Sequence, residues 1–151
     1  MAKVLERPDL YDEDFYVWTE RQAELLRARR FDELDLDNLV EEVEDLGKSE
    51  RSKVLNTASV IIEHFLKLEH SPASEPRNLW RRSIREHRRR LRRDITPGLR
   101  QILGRELPEL FREVRDDTAS TLRDYGEDEA AERLPEACPY TVEQILGDWL
   151  P

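Results

Sequence analysis

The stretch Leu36-Asp37-Asn38-Leu39-Val40-Glu41-Glu42-Val43-Glu44-Asp45-Leu46 sets its apolar residues three and four apart, the spacing that lines one face of a helix. The same period continues beyond Gly47 through Val54, Ala58, Ile61, Ile62, Phe65 and Leu68. At about 1.5 Å per residue, a helix reaching His70 is a rod on the order of 50 Å long. Gly47 gives no side-chain support to a helix interior, so the pattern predicts one long helix bent near that residue. Two collinear helices are the alternative. Asp35, just upstream, is the expected N-cap.

Upstream, Asp12-Glu13-Asp14 puts carboxylates where the positive end of a helix dipole favours them, which predicts a first helix opening there. Phe15, Trp18, Gln22, Leu25 and Leu26 form its repeating face, and the helix is expected to fray near Arg29-Arg30. Downstream, Ser71-Pro72-Ala73-Ser74-Glu75-Pro76 holds two prolines that cannot continue a helix, so it reads as a loop.

A third, arginine-rich helix is predicted over 79–95, anchored by Trp80, Ile84, Leu91 and Ile95, with Thr96-Pro97 ending it. A short helix with Leu99, Ile102 and Leu103 should follow. Another should start at Pro108 and carry Leu110, Phe111, Val114, Leu122 and Tyr125 to a stop at Gly126. Thr141 and Gln144 have capping-box spacing for a last helix containing Ile145, Leu146 and Trp149.

The fold expectation is therefore all-α: a compact helical bundle with a long, bent second helix and a small C-terminal helical annex. With 151 residues, the chain reads as a single helical domain, 1–151. Charged residues (39%) match hydrophobic ones (38%), and mean hydropathy is −0.79, so the apolar pattern decides for a folded domain where composition does not. Cys138 is the single cysteine, which excludes an intramolecular disulfide and a thiolate zinc site. No apolar stretch approaches the ~20 residues that span a bilayer, and Met1 to Pro8 carries no apolar signal region. A cytoplasmic protein with no membrane association is expected.

The net charge of −9 is unevenly distributed. Residues 1–75 hold 10 basic and 19 acidic side chains, residues 76–106 hold 11 and 3, and residues 107–151 hold 4 and 12. Eight arginines fall between Arg81 and Arg93. Arg81, Arg85, Arg88, Arg89 and Arg92 are the candidate phosphate contacts of a nucleic-acid-binding helix, since guanidinium groups pair bidentately with phosphate. The competing reading has this helix neutralised by the acidic stretch Glu41-Glu42-Val43-Glu44-Asp45. That reading is preferred, because the arginines surround the helix and no aromatic residues interleave to stack bases.

Signs of catalysis are few. Glu41, Glu42 and Asp45, with Glu63, His64, His70 and His87, are the one set that could bind a metal for a hydrolase or nuclease. The Glu-x-x-His pairs of a di-iron bundle are missing, so no metal or cofactor is assigned. Cys138 lies among acidic residues that disfavour a thiolate, and there is no Gly-rich phosphate loop or serine elbow. Tyr11, Phe15, Tyr16 and Trp18 read as core or docking surface. The preferred function is a non-enzymatic binding module with a protein partner or self-association. Nucleic-acid binding and carboxylate-metal hydrolysis are the alternatives.

The order and spacing of several segments resemble a bacterial family of unknown function, the one numbered 29. They are Tyr11-Asp12-Glu13-Asp14-Phe15-Tyr16-Val17-Trp18, Leu34 to Glu44 with Leu46-Gly47, His64-Phe65-Leu66-Lys67, Trp80 to Arg88, and Cys138-Pro139-Tyr140-Thr141. The resemblance implies an all-helical fold and carries no activity. It marks Asp14, Trp18, Glu41, Glu42, Gly47, Trp80, Ile84 and Arg88 as signature positions. A physical role for the polar ones is an ion pair of Glu41 or Glu42 with Arg85 or Arg88, costly to break if partly buried.

Overall fold

Asp14 ends one helix and begins the next. Its backbone is non-helical (φ −148°, ψ 84°), and its carboxylate accepts the Val17 N–H at 3.1 Å, satisfying a donor that the first turn leaves without an intrahelical partner. The computed structural model describes residues 9–151. α1 (Leu10–Glu13) therefore precedes α2 (Phe15–Arg27), and Asp9 caps α1 in the same way through the Tyr11 N–H. The expected single helix opening at Asp12-Glu13-Asp14 is corrected to two, because an Asp that caps the following turn leaves the helical backbone itself. A 3₁₀ turn (Phe31–Glu33) leads to α3 (Leu36–His70).

α4 (Arg77–Asp94), α5 (Pro97–Asp124), α6 (Asp128–Glu132) and α7 (Val142–Leu146) complete the described residues, which contain no strand. The chain is all-α. The backbone divides into two compact units, one ending at Lys48 and one from Ser49 to Pro151.

In the N-terminal unit, α2 is fastened to the start of α3 by polar bonds. Trp18 donates its indole N–H to Asp35 at 2.9 Å, Gln22 accepts the Asp35 backbone N–H at 2.9 Å, and Asn38 donates to the Asp35 carboxylate at 2.8 Å. Trp18, Gln22 and Leu25 are buried, whereas Phe15 and Leu26 of the expected face are exposed. Burying Gln22 is tolerable because its carbonyl oxygen is bonded.

The second unit has the apolar core. Val54, Ile61, Ile62 and Phe65 of α3 meet Ile84 and Leu91 of α4, Leu103 and Phe111 of α5, and Ile145 of α7. α3 runs through Gly47 uninterrupted, so the alternative of two collinear helices does not hold. The separate helix expected at Pro108 does not form either: Pro108 lies inside α5. A mid-helix proline removes one hydrogen bond and costs about 3 kcal/mol. Leu103, Leu107, Phe111 and Val114 share one buried face across that position, and burying a side chain of this kind stabilises by about 1.5–3 kcal/mol. Packing across the proline outweighs its local cost. Gly126 ends α5 as expected, with φ +75°, where a residue lacking Cβ meets no strain.

The capping box of α7 is present: Gln144 N–H to Thr141 Oγ1 at 3.1 Å, and Thr141 N–H to Gln144 Oε1 at 2.9 Å. Trp149 lies beyond the end of the helix. Among the described residues, no helix is long and apolar enough to cross a membrane.

Candidate functional site

The signature positions of the N-terminal unit are largely explained by local structure. Asp14 caps α2. Trp18 is held by Asp35 and stacks with Phe15 at 5.6 Å and against the edge of Tyr11 at 4.9 Å. Glu42 accepts the Tyr11 hydroxyl, and its carboxylate pushes that phenol's pKa up to about 12. Asp35, bonded by Asn38 and Trp18, is held below the usual carboxylate range. Glu41 is exposed, and nothing approaches within 4 Å of a Cβ placed on Gly47. The structure gives Gly47 no packing role.

Between α2 and α3 of this unit runs an open groove of about 440 Å³. Phe15, Leu26, Leu39, Val43 and Leu46 supply its apolar lining, with Glu42 at one side. Val43 and Leu46 are 61% and 70% exposed, high for apolar residues on a helical stripe of correct period. Phe31, Leu36 and Val40 are exposed in the same unit.

The arginine-rich helix α4 sorts its guanidinium groups into two sets. Arg88 is 4% exposed. It donates to the carbonyls of Ile145 (3.0 Å), Gln144 (2.7 Å) and Trp149, and its guanidinium lies 5.2 Å from the centroid of the Phe65 ring. Arg92 donates to the Leu146 carbonyl at 2.7 Å and to Asp148 at 2.8 Å. The last carbonyls of a helix have no intrahelical partner, and these two arginines supply one from α4. Burial and neighbouring Arg92 lower the Arg88 pKa, against the pull of Asp148.

The pair expected between Glu42 and Arg88 is therefore corrected: one takes a tyrosine hydroxyl, the other a set of backbone carbonyls. Arg85, the other basic residue considered, has no hydrogen-bonded or ionic partner among the described residues, nor have Arg89 and Arg90. Arg81 donates to Asn78 at 3.5 Å. Arg85, Arg88, Arg89 and Arg92 line one crevice of about 440 Å³, together with Asp148 and Leu150. Arg81 is not part of it.

The model of the family described as "Domain of unknown function DUF29" matches residues 10–150. The chain belongs to the DUF29 family. It is also similar to an alpha-helical protein of unknown function from Rhodospirillum rubrum, at 24% identity and a TM-score of 0.66. That likeness covers 93% of this chain and 90% of the other, and shows the fold. No curated protein matches the chain.

For this DUF29 chain, the remaining candidates take structural places. Ile84 is fully buried and Trp80 packs at the edge of the core. Among the described residues, no three His, Cys, Asp or Glu side chains group so as to hold a metal, and Glu41, Glu42 and Asp45 gather no histidine. His64 Nε2 lies 2.9 Å from Ser83 Oγ, which lies 3.2 Å from His87 Nδ1. Burial lowers the His64 pKa, opposed by Glu63 and aided by Lys67 and His87. Burial pushes the Cys138 thiol up, the wrong direction for a nucleophile at neutral pH.

Two features escaped the sequence reading. The partners of Arg88 are backbone carbonyls, which every residue has, so no residue type signals them. Ser83 sits four residues before His87 on one face of α4, a spacing visible in the sequence but common in any helix.

Proposed function

We propose that this DUF29 protein is a non-enzymatic binding module whose docking surface is the α2–α3 groove of the N-terminal unit. The occupant we assign is an amphipathic helix of a partner protein, apolar on one face and basic beside it. The observation that carries this is the apolar stripe of half-buried Leu39 and exposed Val43 and Leu46, which lines the groove together with exposed Phe15 and Leu26. From Leu39 to Leu46 the stripe extends about 10 Å, enough for roughly two turns of a docked helix. Residues 1–48 carry 15 acidic and 7 basic side chains, a charge that favours a basic partner. The same reading places the module in the cytoplasm, where its lone cysteine stays reduced.

The test is affinity capture at low salt with the wild type and with a Val43→Glu/Leu46→Glu double variant. Both side chains face solvent, so the variant keeps the parent's circular dichroism. A protein captured by the wild type, released by salt and absent from the double variant supports the reading. Dimerisation in sedimentation velocity that the double variant abolishes makes a second copy the occupant instead. Equal capture by both forms overturns the groove as the docking site.

A further inference from the structure

We propose that the crevice on α4 lined by Arg85, Arg88, Arg89 and Arg92 binds a compact phosphate-bearing anion. The four residues occupy positions i, i+3, i+4 and i+7 and therefore share one helix face. Like charges at that spacing destabilise a helix, so the face calls for compensation. The protein supplies part of it. Asp148, the one carboxylate lining the crevice, is paired with Arg92. Arg88 is bonded to carbonyls, which are dipoles and cancel no net charge. Arg85 and Arg89 have no partner among the described residues and are exposed.

The buried arginine makes this a built site. Nε and Nη2 of Arg88 are fixed by three carbonyls, and Phe65 lies beside the guanidinium. Nη1 makes no hydrogen bond among the described residues, yet is not among the buried polar atoms left without a partner. It is the free edge of a guanidinium that lines the crevice. A donor immobilised in advance loses little entropy on binding, while Arg85 and Arg89 can close over the anion from the exposed side. Guanidinium donors match the oxygens of a phosphate group bidentately.

A compact anion suits the lining better than a nucleic-acid strand. Leu150 is the apolar lining residue, with no aromatic ring to stack a base. The net charge of −9 also opposes the approach of a long polyanion. The crevice volume falls within the range of small-ligand sites, about 300–1,000 Å³.

Isothermal titration of the full chain at low ionic strength, with inorganic phosphate and pyrophosphate as probes, tests the proposal. Sodium chloride at matched ionic strength is the control. The expected result is saturable binding at one site per chain, weakened at least about tenfold (1.4 kcal/mol) in an Arg85→Ala/Arg89→Ala variant. Removing two like charges from an exposed helix face should leave the apo melting temperature at or above that of the parent. Arg89→Gln, which removes charge and keeps a polar side chain, is the second variant. Unchanged binding in both variants, or no saturable heat with either anion, overturns the proposal. A single-stranded oligonucleotide that binds where neither anion does overturns it in favour of a nucleic-acid surface.

Discussion

The two ends of α3 follow one apolar period and meet opposite fates. Near its start, Val43 and Leu46 are mostly exposed. Further along, Ile61, Ile62 and Phe65 are wholly buried. Helical spacing records which face of a helix is apolar, but it does not record what covers that face. In the second unit the cover is α4, α5 and α7. In the first, α2 buries its own Trp18 and Leu25 and leaves a groove beside Val43 and Leu46.

Paired truncations should break the comparison open, and the largest effect is expected in the buried half. Phe65 packs edge-to-face against Tyr140 at 5.1 Å and Trp149 at 5.2 Å, and lies beside Arg88. Phe65→Ala should cost about 3–5 kcal/mol, the usual loss when a buried aromatic leaves a cavity. Val43→Ser, on the same stripe of the same helix, should stay within about 0.5 kcal/mol of the parent. Urea denaturation followed by circular dichroism measures both. A loss at Val43 approaching that at Phe65 would mean the first half is covered in solution, and the groove would cease to be a docking surface.

Arg88 carries the contrast into the polar residues. Its partners belong to the short C-terminal segment, and no other arginine of α4 is buried among the described residues. Arg88→Ala leaves three carbonyls without their charged donor, and should cost about 2–3 kcal/mol. Lysine at the same position should recover only part of this, since an ammonium cannot reproduce the planar fork. The check is the fluorescence of Trp149 with amide exchange over residues 142–151. Both should report loosening of that segment before the core melts. Intact protection of the segment in Arg88→Ala would show that its capping box and Ile145 hold it unaided.

Much of this fold was legible because helix spacing and caps are local. The loop at residues 71–76, the stop at Gly126 and the Thr141–Gln144 box all follow from side chains acting within a few positions of themselves. The helix expected to begin at Pro108 failed because local chemistry lost to packing: a buried face on both sides of the proline outweighs one missing hydrogen bond. The candidate sites were less legible for a related reason. Arg88 was expected to pair with a carboxylate and instead donates to backbone carbonyls, which carry no signature in the sequence. The signature residues Asp14, Trp18 and Glu42 were also visible: Asp14 caps α2, Trp18 bonds Asp35 just before α3, and Glu42 of α3 takes the Tyr11 hydroxyl of α1. Exposure of Val43 and Leu46 was invisible, because it depends on where a neighbouring helix stops.

Gly47 sits where the two behaviours of α3 meet, and its replacement is the smallest and sharpest test. Glycine inside a helix costs roughly 0.5–1 kcal/mol relative to alanine, through the backbone freedom it gives the unfolded chain. A Cβ at this position meets nothing within 4 Å, and its backbone is helical. Gly47→Ala should therefore raise stability by about that amount, measured as a shift in the urea midpoint at unchanged slope. If stability falls instead, the glycine holds a backbone geometry that alanine resists, and the uninterrupted helix has a local constraint at the end of the exposed stripe. If stability rises but capture of a partner is lost, the missing side chain is what lets a docked helix approach α3 closely, and the position belongs to the groove.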